Sequence, residues 1–122
     1  MPNLNLILLY VDDPVKSTPF YTELLDRDPI ASFPTYVAFA LGDGFTLGLW
    51  ANHRISPAPP KTGNRTEIAF MVDDEAAVQA LYQQWSKRGV KIEQDPNLDV
   101  FGLTFVALDP DRHRIRVCQA DK

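Results

Sequence analysis

The feature that most constrains the fold is an internal repeat. The segment Leu6–Asp13 is an apolar run closed by two aspartates, and Glu67–Asp74 repeats this pattern 61 residues later. At the same offset Tyr21 coincides with Tyr82. A repeat spaced by half of a 122-residue chain indicates a duplicated structural module. The fold is therefore expected to contain two copies of one unit.

Each apolar run predicts a buried strand that leads directly into a helix. Asp13 is placed to cap the first helix, with Pro14 in its first position, and Asp74 is placed to cap the second. Pro19 lies within the first helical stretch, which predicts either a kink or a late helix start near Thr18. Both halves thus open with a strand followed by a helix.

Three shorter strands follow the helix in each half. They are predicted at Pro29–Phe33, Tyr36–Leu41 and Phe45–Trp50 in the first half, and at Lys91–Gln94, Leu103–Leu108 and Arg114–Gln119 in the second. Turns at residues 42–44 and 109–111 join the last two strands of each half. The proline-rich stretch Ala51–Arg65 predicts a linker without regular structure.

The predicted fold class is therefore α+β, with two tandem βαβββ modules in a single domain of residues 1–122. The first module covers about residues 1–51, the linker about residues 52–65 and the second module about residues 66–122. A chain of this length is long enough to bury a hydrophobic core.

Composition excludes several classes of partner. The net charge is -4 and no basic run is present, so we expect no binding to nucleic acid. No apolar stretch approaches the length of a membrane span, and Met1–Tyr10 lacks the basic start of a signal peptide. The single cysteine, Cys118, cannot form an intrachain disulfide, which fits a reducing compartment. We expect a cytoplasmic protein.

Two short motifs give the doubled pattern a family resemblance. The first strand of each half ends in Val-Asp-Asp, and Leu108–Asp111 reads Leu-Asp-Pro-Asp in a turn. Together these features resemble the vicinal oxygen chelate family of glyoxalases, ring-cleaving dioxygenases and bleomycin-resistance proteins. Arg112 replaces the glycine usual in that turn. The resemblance implies a curved mixed sheet around a cavity, with a metal held by side chains from four strands.

The four positions that the resemblance assigns to metal ligands are Leu6, Gly48, Glu67 and Arg116. Of these, only Glu67 has a side chain suited to a cation. Leucine and glycine offer no ligand atom, and arginine is a permanent cation that repels a metal. A divalent site needs three or more protein ligands. We therefore expect no metal, no cofactor and none of the family's metal-assisted chemistry.

A cavity without a metal can serve as a binding site for an organic molecule. Strand alternation places Leu8 and Tyr10 on the face of Leu6, and Gly48 on the face of Trp50. The Trp50 indole offers a flat stacking surface, and Gly48 would leave room for a ligand ring. Alternatively, Trp50 closes the end of the sheet.

For the other candidate residues, a purely structural role is at least as well supported by the sequence as a role in ligand binding. Glu67 and Arg116 would anchor polar groups of a ligand, or would form an ion pair with each other. His53 would cover a pocket mouth, although a solvated loop is the simpler interpretation. Phe105 would contribute to the pocket rim or to the core, and Cys118 is expected to be a buried, inert thiol.

Within the family, the resemblance is greatest to small binding proteins of the phenazine-antibiotic resistance type. It rests on Leu4–Val11, Leu47–Trp50 and Phe105–Asp111. It implies a homodimer with pockets shared between the chains, which sequesters a planar aromatic compound without converting it.

Two alternatives to this function stay open. One is a glyoxalase-like lyase or isomerase, or a dioxygenase, with an atypical active site in which Glu67 could act as a base. The other is a subunit whose cavity is vestigial.

Overall fold

The computed structural model describes residues 4–56, 58 and 66–119. The chain divides into two compact units, Met1–Thr62 and Gly63–Lys122. This boundary falls within the predicted linker, whereas the grouping of both modules into one domain stays a prediction. Of the helices in the described ranges, none is long and apolar enough to cross a membrane.

Both units have the predicted α+β architecture, with one helix and one four-stranded mixed sheet each. The first contains β1 (Leu6–Val11), α1 (Pro14–Leu25), β2 (Ala31–Phe33), β3 (Tyr36–Gly42) and β4 (Phe45–Ala51). The second contains β5 (Glu67–Val72), α2 (Glu75–Lys87), β6 (Lys91–Asp99), β7 (Gly102–Leu108) and β8 (Arg114–Gln119). The strand orders are β1-β4-β3-β2 and β5-β8-β7-β6. In each unit the first strand pairs in parallel with the last.

Helix α1 begins as its capping residue predicts. The Asp13 carboxylate accepts hydrogen bonds from the backbone N–H groups of Val15 and Lys16 at 3.1 and 3.2 Å. Pro14 occupies the first turn, where its missing N–H costs nothing. The predicted late start near Thr18 is therefore wrong, because the cap already fixes the helix one turn earlier.

Helix α2 ends in a turn that requires glycine. Gly89 has φ +80°, and its N–H donates to the Ser86 carbonyl at 3.1 Å. The N–H of Val90 donates to the Trp85 carbonyl at 3.0 Å. These two bonds form a Schellman motif, which stops the helix and turns the chain toward β6.

The core of the second unit lies between α2 and the sheet. The Phe105 ring packs edge-to-face against Tyr82 and Trp85, with ring centroids 5.4 Å apart in each pair. Trp85 packs in the same way against Phe70 at 6.0 Å. Phe105 is fully buried in this cluster. Its assignment to the ligand site is wrong, because its side chain faces the helix and is part of the core.

The turn between β7 and β8 is held by one carboxylate. Asp109 accepts hydrogen bonds from the N–H groups of Asp111 and His113 at 2.9 and 2.7 Å. Its second oxygen lies 2.7 Å from Nδ1 of His113. Arg112 adopts φ +68°, a conformation that glycine adopts without cost. This explains why glycine is usual at that position of the motif.

Two other expectations need correction. Strand β6 extends to Asp99 rather than ending at Gln94. It is an edge strand, and its register shifts between residues 92 and 94 and between 94 and 97 accommodate Pro96. The predicted linker is not entirely irregular either, because Asn52–Arg54 forms a short 3-10 helix after β4. Residues 57 and 59–65 of that linker lie outside the described residues.

The cap of α1 gives a test of the fold. We expect Asp13→Ala to lower the free energy of unfolding by about 1 kcal/mol, because two backbone N–H groups lose their acceptor. Asp13→Asn keeps the acceptor and should retain most of the stability. Urea denaturation followed by circular dichroism would measure both variants. Equal losses in the two variants would show that charge, rather than capping, is the source of the effect.

Candidate functional site

An aromatic row crosses the first sheet. Tyr10 pairs with Trp50 between β1 and β4, Trp50 pairs with Tyr36 between β4 and β3, and Tyr36 pairs with Phe33 between β3 and β2. Paired residues point to the same face of a sheet, so four aromatic side chains follow one another across all four strands. We call Phe33, Tyr36, Trp50 and Tyr10 the aromatic row.

The aromatic row lies on the face that α1 leaves uncovered. Phe39 of β3 contacts Tyr21 of α1, with ring centroids 6.4 Å apart. Strand alternation therefore directs Tyr36 and its partners to the opposite face. Tyr10 is 39% exposed and Phe33 is 60% exposed, whereas Trp50 is half-buried. The open face thus presents accessible aromatic surface with a partly shielded indole at its centre.

A row of small side chains lies next to the aromatic row. Ala31 pairs with Ala38, Ala38 with Gly48, and Gly48 with Leu8. A Cβ atom at Gly48 would lie 2.7 Å from the Tyr36 hydroxyl oxygen and 2.8 Å from a Leu8 methyl carbon. The space over Gly48 is therefore filled by Tyr36 and Leu8. Gly48 does not leave an empty place for a ligand ring, as the sequence suggested, but lets the Tyr36 ring lie close to the sheet.

His53 lies apart from these rows. It is exposed, in the short helix Asn52–Arg54 that follows β4. Asn52 donates a side-chain hydrogen bond to the Asp12 carboxylate at 3.3 Å, which ties this helix to the end of β1. The placement of His53 agrees with a solvated turn, and a role at a pocket mouth stays a prediction.

The second unit contains a cavity of about 390 Å³. We call it the polar cavity. Its lining comes from β5, β8 and the hairpin between β6 and β7, and consists of Glu67, Met71, Asp99, Phe101, Arg116, Cys118 and Gln119. Met71 pairs with Cys118, so both lie on the same face of the sheet. The cavity combines apolar side chains with three acidic or basic ones, Glu67, Asp99 and Arg116.

Glu67 and Arg116 form an ion pair in this cavity. Arg116 Nε donates to Glu67 Oε1 at 2.8 Å, and its Nη1 donates to the Thr104 hydroxyl at 3.2 Å. The Glu67 side chain is 35% exposed and the Arg116 side chain is 23% exposed. Of the two interpretations of this pair, the mutual ion pair is the one that forms. A ligand would reach either group only in competition with the other.

A second ion pair lies along the same strand. Arg114 Nε donates to Glu93 Oε1 at 2.6 Å, and Nη2 donates to the other carboxylate oxygen at 3.3 Å. This hydrogen bond from the guanidinium to Glu93 is the main cause that raises the pKa of Arg114 above its usual value. The Arg114 charge is thus compensated on the surface of β8 and β6.

The residues at the four expected ligand positions do not fit a metal. Leu6 and Gly48 have no ligand atom, and the Arg116 guanidinium already occupies the Glu67 carboxylate. Within residues 4–56, 58 and 66–119, no three His, Cys, Asp or Glu side chains come together as a metal site would need. His113, the more buried histidine, is bound to Asp109.

Several residues that line the cavity were not predicted from the sequence. Met71 could have been predicted, because the repeat places it at the position of Tyr10. Asp99 could not, since it lies at a hairpin tip beyond the predicted end of β6. Tyr36 and Phe33 could be recognised as members of the aromatic row only once the strand register was known.

Comparison with known proteins shows the family. A model of the Glyoxalase/Bleomycin resistance protein/Dioxygenase superfamily matches residues 3–117. The chain belongs to this superfamily, and the resemblance found in the sequence is confirmed.

Individual relatives agree with this assignment. The phenazine antibiotic resistance protein EhpR of Enterobacter agglomerans is 33% identical over 120 residues, which cover 96% of this chain and 92% of that protein. The NMR structure of a protein from Agrobacterium tumefaciens is 42% identical, with a TM-score of 0.89 and full coverage of both chains. A lactoylglutathione lyase from the same organism, 18% identical with a TM-score of 0.77, covers 94% of this chain and 91% of its own, and shows the fold alone.

Proposed function

We propose that this member of the superfamily reversibly binds a planar aromatic molecule on the aromatic row and releases it unchanged. The observation that carries this proposal is the placement of Tyr10, Trp50, Tyr36 and Phe33 side by side on the uncovered face of the first sheet. An exposed run of neighbouring aromatic rings is a typical recognition surface for flat apolar ligands.

The magnitudes favour Trp50 as the main contact. Burial of ring surface contributes about 25 cal/mol per Å². A well-placed ring pair adds roughly 0.5–1.5 kcal/mol beyond that. Trp50 is the largest side chain of the aromatic row and is flanked on both sides, by Tyr10 and Tyr36. A ligand stacked on the indole would therefore contact the neighbouring rings as well.

The relative from Enterobacter agglomerans supports a phenazine as the ligand and resistance as the role. It is named as a phenazine antibiotic resistance protein, and it is similar to this chain over almost its whole length. Phenazines are flat tricyclic molecules, which suits the aromatic row. The protein would lower the concentration of free toxin in the cytoplasm, the compartment that its lone cysteine, Cys118, favours.

Binding without turnover is favoured over an enzymatic role. A metal-assisted reaction has no suitable ligand set at Leu6, Gly48 and Arg116. A metal-free isomerase would need a free base, and one oxygen of the Glu67 carboxylate already accepts a hydrogen bond from Arg116.

We expect Trp50→Ala to weaken phenazine binding at least about tenfold, which corresponds to about 1.4 kcal/mol. The reason is the loss of the central ring of the aromatic row. Fluorescence quenching by phenazine would measure affinity in a Trp85→Phe background, so that Trp50 is the only indole. For variants that lack Trp50, isothermal titration calorimetry replaces fluorescence.

Trp50→Phe is the matched control for this experiment. It keeps an aromatic ring and should lose much less affinity than Trp50→Ala. Unchanged affinity in Trp50→Ala would refute the stacking role. Phenazine recovered in altered form, in proportion to protein and time, would refute binding without turnover.

Metal content provides a separate test. We expect purified protein to contain less than one divalent ion per chain by elemental analysis, because Leu6, Gly48 and Arg116 offer no metal ligand. A reproducible occupancy near one ion per chain that disappears in Glu67→Gln would contradict this expectation and would reopen the enzymatic alternative.

We also expect a homodimer. Both units expose large apolar side chains on their sheets, including Leu6 and Leu8 in the first and Leu98 in the second. Such surface is commonly covered by association, and a twofold dimer is the commonest oligomer. Sedimentation at micromolar concentration should give twice the mass of the chain. A monomer under these conditions would also argue against pockets shared between chains.

A further inference from the structure

The charges of the polar cavity do not cancel. Its lining contains two carboxylates, Glu67 and Asp99, and one guanidinium, Arg116. In the ion pair between Arg116 and Glu67, the positive charge of the guanidinium is balanced by the Glu67 carboxylate. Arg114, on the same strand, is engaged by Glu93, which is not a lining residue. One negative charge therefore remains in the cavity, and it belongs to Asp99.

Asp99 is available to a ligand. One of its carboxylate oxygens accepts the N–H of Val100 at 2.7 Å, a local bond within the hairpin tip. Across the described part of the chain, no cation lies within ion-pair distance of it. Asp99 is exposed at its position in the lining, so a ligand can reach its carboxylate.

The side chains beside Asp99 favour an organic cation over an inorganic one. Phe101 lines the same cavity two residues further along the hairpin, and Met71 lines it from β5. An aromatic face attracts an ammonium group, and the thioether and ring together accept an apolar stem. The volume of about 390 Å³ is sufficient for a group of that kind.

From these observations we infer that the polar cavity is a site for an organic ammonium group on an apolar stem, with Asp99 as its counterion and Phe101 as its aromatic wall. Glu67 and Arg116 close one side of the cavity as a neutral pair. This site lies wholly in the second unit, and it does not depend on ligand binding at the aromatic row.

Three probes that share one ring test the inference. Benzylammonium, benzyl alcohol and benzoate differ in charge but hardly in size. Each is titrated at neutral pH while the backbone amide signals of Asp99 and Phe101 and the methyl signal of Met71 are followed by NMR. Benzylammonium should move these signals saturably and bind at least about threefold more tightly than benzyl alcohol, with benzoate weakest. The preference should shrink as salt is raised.

Two substitutions in the cavity then identify the groups responsible. Asp99→Asn keeps the acceptor for the Val100 N–H, so the hairpin is retained, but it should weaken benzylammonium about two- to fivefold and leave benzyl alcohol unchanged. Phe101→Leu keeps an apolar wall and should weaken benzylammonium more than benzyl alcohol.

Asp43→Asn is the matched control for Asp99→Asn. It removes the same charge from a turn of the first unit that does not line the cavity, and should leave the affinities of all three probes unchanged. Its Asn side chain is also well suited to the positive φ of that position.

Clear outcomes would overturn the inference. Tighter binding of benzoate than of benzylammonium, lost in Arg116→Gln, would make the cavity an anion site. Equal affinities of all three probes in the wild type would mean that charge has no role. Shifts confined to other parts of the protein would place the amine elsewhere. Failure of phenazine to bind would refute the proposed function and leave this result standing.

Discussion

The parallel pairing of the first and last strands is the constraint on which the rest of each unit depends. In the first unit it aligns Tyr10 with Trp50, and in the second it aligns Met71 with Cys118. Side chains alternate between the faces of a strand, so a slip of one residue would turn Trp50 toward α1 and bring Leu49 to the open face. The apolar residues facing the helices prevent that slip, since they would then be exposed. The packing of apolar side chains against the helix on one face therefore determines which side chains lie on the opposite, open face.

The two units use this same frame for different surfaces. At the paired positions of the parallel strands, the first unit carries two aromatic side chains and the second a thioether and a thiol. The first sheet thus presents a continuous line of rings, whereas the second leaves a cavity with a charged lining. The same repeated scaffold therefore carries two different surfaces, because the outward-facing residues at corresponding positions differ between the two units.

Much of this architecture follows from the sequence, because it depends on local patterns. The bounds of β1, β5 and β8 agree with the prediction, and both capping aspartates begin their helices. Features that depend on tertiary contacts were not predictable in this way. Strand β6 runs beyond its predicted end at Gln94, because an edge strand with register shifts accommodates Pro96. The sequence is compatible with Phe105 at the pocket rim or in the core, and the packing of its ring against α2 shows that it belongs to the core.

The contact between Gly48 and Tyr36 has an evolutionary consequence. Gly48 stands where the superfamily resemblance places a metal ligand, and the Tyr36 ring fills the space that a side chain there would need. Any single change that places a ligand side chain at this position would first meet the Tyr36 ring, and would still lack partner ligands while Leu6 and Arg116 stay as they are. Metal chemistry at these positions would therefore need several coordinated substitutions. Evolution toward it from this sequence would pass through intermediates that hold too few ligands for a divalent ion.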